Sequence, residues 1–86
     1  MLNEDVLIIL EELGLRIDSI HYSSSVEVSV GVADTHGTRY IGKANRSGGT
    51  PDVVLIRALT DALDSFDSSW RKHVSCSIEE PFAKCV

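Results

Sequence analysis

The chain has 86 residues and a mass of 9.4 kDa, which makes one domain at most. Hydrophobic residues at 43% and charged residues at 24% argue against disorder. Eight Lys+Arg against thirteen Asp+Glu leave a net charge of −5, which argues against a general polyanion binder, because phosphate-backbone affinity rests on clustered Lys and Arg. A domain this short buries only about 60% of its extended-chain surface, so it needs a compact core, a partner subunit or both.

The first predicted element is a helix over residues 1–14. Asn3 can cap it, and Glu4 and Asp5 place negative charge at the positive end of its dipole. Val6, Leu7, Leu10 and Leu13 form its apolar stripe, with Ile9 broadening it and Glu11 and Glu12 on the wet side. Gly14 stands where a left-handed closing residue belongs. The longest apolar run, Val6 to Leu10, is far short of the roughly 20 residues a membrane helix needs.

Residues 15–45 read as antiparallel sheet. Ile17 and Ile20 fall out of strict alternation, which predicts a short or bulged strand from Arg16 to Tyr22. Ser23, Ser24 and Ser25 make a polar turn. Val26, Val28, Val30 and Val32 then alternate with Glu27, Ser29, Gly31 and Ala33, and β-branched residues at period two specify a strand with one buried face. Asp34 to Gly37 predicts a hairpin turn. On the return strand from Thr38 to Asn45, Arg39, Ile41 and Lys43 share one face and Tyr40, Gly42 and Ala44 the other.

Thr50-Pro51-Asp52 is a helix start: a cap, a proline at the first helical position and an acid in the first turn. The helix is expected from Pro51 to about Phe66, or on to Trp70. Leu55, Leu59, Ala62, Leu63 and Phe66 form its buried stripe, Ile56 lies at the edge, and Asp61, Asp64 and Asp67 face water. Val74, Cys76 and Ile78 alternate with serines and predict a short terminal strand that Pro81 stops. The expected fold is α+β in the order α-β-β-β-α, with a three-stranded antiparallel sheet, both helices on its valine face, and a tail over 71–86.

The run from Val26 to Phe66 resembles one repeat of the carboxy-terminal leucine-sensing domain of 2-isopropylmalate synthases. Gly42, the Ser47-Gly48-Gly49 loop, the Pro51-Asp52 helix start and the Ala58-Leu59 and Ala62-Leu63 stripe carry the resemblance, over about half the chain. It implies a non-catalytic regulatory module that binds an amino acid between paired repeats. This chain has one such unit, so the resemblance implies a homodimer. The element order is also similar to that of double-stranded RNA-binding domains, but Thr50-Pro51-Asp52 puts an acid where those domains open their second helix with lysines.

Independently of any family, Gly48, Gly49 and Thr50 precede a positive helix end, and Arg39, Lys43 and Arg46 precede that loop. Together they are the candidate pocket for a carboxylate or phosphate. The plainer reading is that the glycines turn the chain, Thr50 caps, and the basic residues offset nearby acids. Glu27, Ser29 and Gly31 on the small-residue face, with Trp70 and Phe82 flanking the tail, are the candidate interface; closing one end of the core is the plainer role for the two aromatics. Asp61, Asp64 and Asp67 make either a solvated face or a surface for a basic partner protein.

His21, His36 and His73 lack metal-ligand spacing, and His73 beside Cys76 has no third orienting group, so no metal, cofactor or enzymatic activity is expected. Cys76 and Cys85 are too few for a disulfide framework. Free thiols are the expectation for them, with a tail-closing disulfide as the alternative. The start Met-Leu-Asn-Glu-Asp lacks the features of a secretory signal, so a cytoplasmic location is expected. The functional expectation is a homodimeric regulatory or ligand-sensing module for a small anionic or zwitterionic metabolite. Its rival is a small acidic inhibitor or adaptor of a size common in viruses, working through its acidic helix face or its tail.

Overall fold

The computed structural model describes residues 4–22, 27–45, 50–79 and 82–85. Helix α1 spans Glu4–Leu13, followed by β1 (Arg16–His21), β2 (Glu27–Ala33), β3 (Arg39–Asn45) and helix α2 (Pro51–Phe66). A 3₁₀ turn over Trp70–His73 leads into β4 (Cys76–Glu79) and β5 (Phe82–Cys85). The first three strands form an antiparallel sheet in the order β1-β2-β3, and β4 and β5 pair as a separate antiparallel hairpin. The fold is α+β in the expected order α-β-β-β-α.

The valine alternation decides the layering. Val28, Val30 and Val32 are buried and lie in one core with Val54, Leu55, Ala58, Leu59, Ala62 and Leu63 of α2 and with Val6, Ile9 and Leu10 of α1. Val26 and the turn over 23–25 fall outside the described residues. The pairing of Arg16 with Ala33 and Ile17 with Val32 shifts before Ser19 pairs with Gly31, which leaves Asp18 as the extra residue of a bulge. That bulge accounts for the broken alternation in the sequence.

Gly14 closes α1 at φ +70°, while Leu15 donates its N–H to the carbonyl of Leu10. The expected stripe is corrected at Leu7, which is 53% exposed, whereas Ile9 is fully buried. At about 100° per residue, Leu7 sits a quarter turn or more from the direction shared by Val6, Ile9 and Leu10. In the hairpin between β2 and β3, the Asp34 carboxylate accepts the N–H groups of His36 and Thr38, both at 2.9 Å, and Gly37 takes φ +84°.

Helix α2 lies directly on β3 because Gly42 carries no side chain. A Cβ on Gly42 would collide with the carbonyl oxygen of Ala58 and the amide nitrogen of Ala62. The helix begins at Thr50, whose hydroxyl accepts the Val53 N–H at 3.5 Å, and stops at Asp67, whose N–H donates to the Leu63 carbonyl. It therefore does not continue to Trp70.

The tail departs most from expectation. Cys76 and Cys85 are not free thiols; they form a disulfide between register partners of β4 and β5. A second strand, β5, answers the predicted β4, so the terminal element is a hairpin. Cys76, Ile78 and Cys85 pack on the main core, and both strands of the hairpin touch α1. Among the described residues, no helix is long and apolar enough to cross a membrane.

Candidate functional site

Of the six residues named for an anion pocket, Arg39, Lys43 and Thr50 are described, and Arg39 lies at the end of β3 away from Thr50. Arg39 opens β3 opposite Ala33, whereas Thr50 follows the other end of that strand. Six residues of strand, about 20 Å, separate Arg39 from Asn45. The Arg39 Nε is 2.6 Å from Asp18 Oδ2. Lys43 is exposed on the same outer face, and its backbone N–H donates to Asp61 Oδ2 at 3.0 Å. Thr50 acts as the cap of α2. Arg46, Gly48 and Gly49 lie outside the described residues.

The expected interface changes too. Glu27 and Ser29 are half-buried on the outer face of β2, while Gly31 is buried. Ser19 Oγ, Ile41 Cδ1 and Arg39 Nη2 crowd the space a Gly31 side chain would occupy, so the chain's own side chains cover that point. Trp70 is corrected: it is fully buried, and its indole N–H donates to Asp64 Oδ1 at 2.8 Å. It closes the core and cannot anchor a partner. The Phe82 side chain lies outside the described set.

The three aspartates expected on a solvated face or against a basic partner also accept hydrogen bonds within the chain, while Asp61 and Asp64 stay exposed. Asp61 accepts from the Lys43 backbone, and Asp64 accepts from Trp70 and meets Arg71 at 3.5 Å. Asp67 accepts the Ser69 N–H at 2.9 Å and lies 3.7 Å from His73 Nε2. They serve as caps and edge covers for α2, β3 and the 3₁₀ turn.

What the fold does assemble is a groove between α2, the 3₁₀ turn and β4. It has a volume of about 190 Å³ and is lined by Ile56, Arg57, Thr60, Arg71 and Ile78. Ile56, Arg57 and Thr60 come from one side of α2, as positions three and four apart must. Arg71 and Ile78 arrive from the tail. Ile56 is buried and Ile78 half-buried, which gives an apolar surface between two guanidinium-bearing side chains. The Arg71 guanidinium stacks 4.6 Å from the Trp70 ring centroid, which holds its planar group in place. The Thr60 hydroxyl donates to the Ile56 carbonyl at 2.7 Å, so toward the groove its oxygen offers only acceptor capacity.

A wider cleft of about 620 Å³ lies between the α1–β1 connection and the β2–β3 hairpin, lined by Arg16, Asp34, His36 and Glu11 among others. Its charges are mixed and the Asp34 carboxylate is spent on its own turn, so it points to no ligand class.

The groove depends on how the tail is moored. Glu12 Oε2 accepts the Ser75 N–H at 2.8 Å and Glu12 Oε1 accepts the Ser75 hydroxyl at 2.6 Å. The hydroxyl first and the amide second hold the Glu12 carboxyl below its ordinary value of 4.5. Sequence reading missed Arg57 and Arg71 because nothing local links residues 56–60 to 71 and 78. The only sequence signal was the basic Arg71-Lys72-His73 cluster after an acidic helix. No family model, curated protein or solved structure matches the chain.

Proposed function

We propose that the chain is a non-catalytic ligand-sensing module that takes a small anionic or zwitterionic metabolite in the groove between α2 and β4. The observation that supports this reading is the pairing of two arginines with an apolar floor in one small concavity: Arg57 and Arg71 beside Ile56 and Ile78. A ligand carboxylate would meet guanidinium groups, which bind it through charge-assisted hydrogen bonds. A short aliphatic portion would lie on the isoleucines. The Thr60 oxygen, with its own hydrogen committed, suits a ligand ammonium. At about 190 Å³ the groove falls below the roughly 300–1,000 Å³ of sites for drug-sized molecules, so the ligand would be small.

This proposal moves the ligand contacts away from Arg39, Lys43 and Thr50 and keeps the ligand class. A cytoplasmic setting goes with it, where disulfides that do form are usually redox-sensing. The test is thermal unfolding of the full chain across a panel of amino acids and short carboxylic acids. A rise in melting temperature that disappears in both Arg57→Gln and Arg71→Gln supports the reading. No rise with any member of the panel, or a rise that both variants retain, rejects it.

A further inference from the structure

We infer that the Cys76–Cys85 disulfide is a redox gate on the groove between α2 and β4. This rests on the ligand site just proposed, but the gate has its own structural basis. Ile78, which walls the groove, stands two residues after Cys76 on β4. The hairpin that carries it has only four residues in each strand. A two-stranded hairpin is marginal by itself in water. Among the described residues, the Glu12–Ser75 hydrogen bonds and the packing of Cys76, Ile78 and Cys85 on the core attach this segment, and the disulfide joins its two strands.

The disulfide is placed to control the whole hairpin. The register runs from Cys76 opposite Cys85 to Glu79 opposite Phe82. The cross-link thus closes the end of the ladder away from Glu79 and Phe82. Opening it leaves two short strands with no covalent link at this end. Val28, Val30 and Val32 lie in the other sheet and share no ladder with this hairpin, so their protection reports whether a change stays in the tail.

The chemistry needs an external dithiol. Its thiolate attacks one sulfur, and Cys85 is the more accessible of the two because Cys76 is buried. The S–S bond breaks, Cys76 leaves as a thiolate and takes a proton, and a mixed disulfide forms on Cys85. The second thiol of the reagent then displaces Cys85, which is also protonated. Two electrons and two protons pass to the protein, and the dithiol ends as its own cyclic disulfide. The β4–β5 ladder then frays, Ile78 leaves the groove wall, and Ile56 becomes open to water.

The test compares the full-length oxidised protein with the same protein in dithiothreitol and with the double variant Cys76→Ser, Cys85→Ser. Amide exchange and relaxation of the Ile56 and Ile78 methyl groups by a soluble nitroxide are read first, and neither needs a ligand. The expected result is exchange at least about tenfold faster in 76–79 and 82–85, with stronger nitroxide contact at Ile56 and unchanged protection of Val28, Val30 and Val32. Titration with hexanoate as the probe then shows weaker binding in the reduced form, by about tenfold or more. Equal exchange and equal methyl exposure in the oxidised and reduced forms overturn the gate, whatever hexanoate does. Loss of protection in β2 together with the tail also overturns it, since the disulfide would then support the whole fold. If the oxidised form ignores hexanoate while exchange and methyl exposure respond as expected, the gate stands and the ligand reading falls.

Discussion

Arg39 on β3 reaches across the middle strand to Asp18 on β1, and the two meet at 2.6 Å. The bulge at Asp18 supplies the extra carboxylate, and the Arg39 side chain passes at van der Waals distance from the position a Gly31 Cβ would take. The pair ties the outer strands together over the centre of the sheet.

Because the pair is exposed, its worth is small. Arg39→Ala is expected to cost no more than about 1 kcal/mol, and the loss should shrink further in high salt. Urea unfolding at low and high ionic strength checks this. A loss several times larger would mean that the crossing does more than join two solvated charges.

The two strand glycines should respond in opposite ways. At Gly31 a methyl group would meet the Ser19 hydroxyl and the end of Ile41, both of which can swing aside, and the substitution removes glycine's strand penalty. Gly31→Ala is expected within about 1 kcal/mol of the parent. At Gly42 the same methyl group would strike the backbone of α2 at Ala58 and Ala62. Gly42→Ala is expected to cost about 3 kcal/mol or more, or to abolish folding. Equal melting temperatures for the two variants would contradict the helix-on-strand contact.

Acid should release the tail before it unfolds the core. The Glu12 carboxyl is held below 4.5 by the Ser75 hydroxyl and amide, so it favours the folded tail above that value. The contribution is lost as pH falls below 4.5 and through the lower folded-state value. Amide exchange at Ser75 should quicken over that range, and Glu12→Gln should flatten the response. An unchanged pH profile in Glu12→Gln would show that other acids govern the tail.

Trp70 is the sole tryptophan and is fully buried, so its emission should be blue-shifted in the native protein and move red on unfolding. Trp70→Phe removes the hydrogen bond to Asp64 and is expected to cost about 1–3 kcal/mol. Native emission already at the position of free tryptophan would place this side chain on the surface.

Much of this fold was legible from local patterns. The valines at period two required one dry sheet face, and Gly14 and Gly37 marked turns at positive φ. Thr50-Pro51 marked the start of α2, and the broken alternation at Ile17 marked the bulge. Each of these signals is written within a few residues, because hydrogen-bond ladders, caps and helical periodicity are short-range. The tertiary structure alone decided the rest. It joined Cys76 to Cys85, sent Arg39 to Asp18, gave Asp61 and Asp64 hydrogen-bond partners in β3 and the 3₁₀ turn, and set Arg71 and Ile78 beside Arg57. Those meetings depend on where the chain returns in space after it has packed, and no spacing along the sequence records that distance.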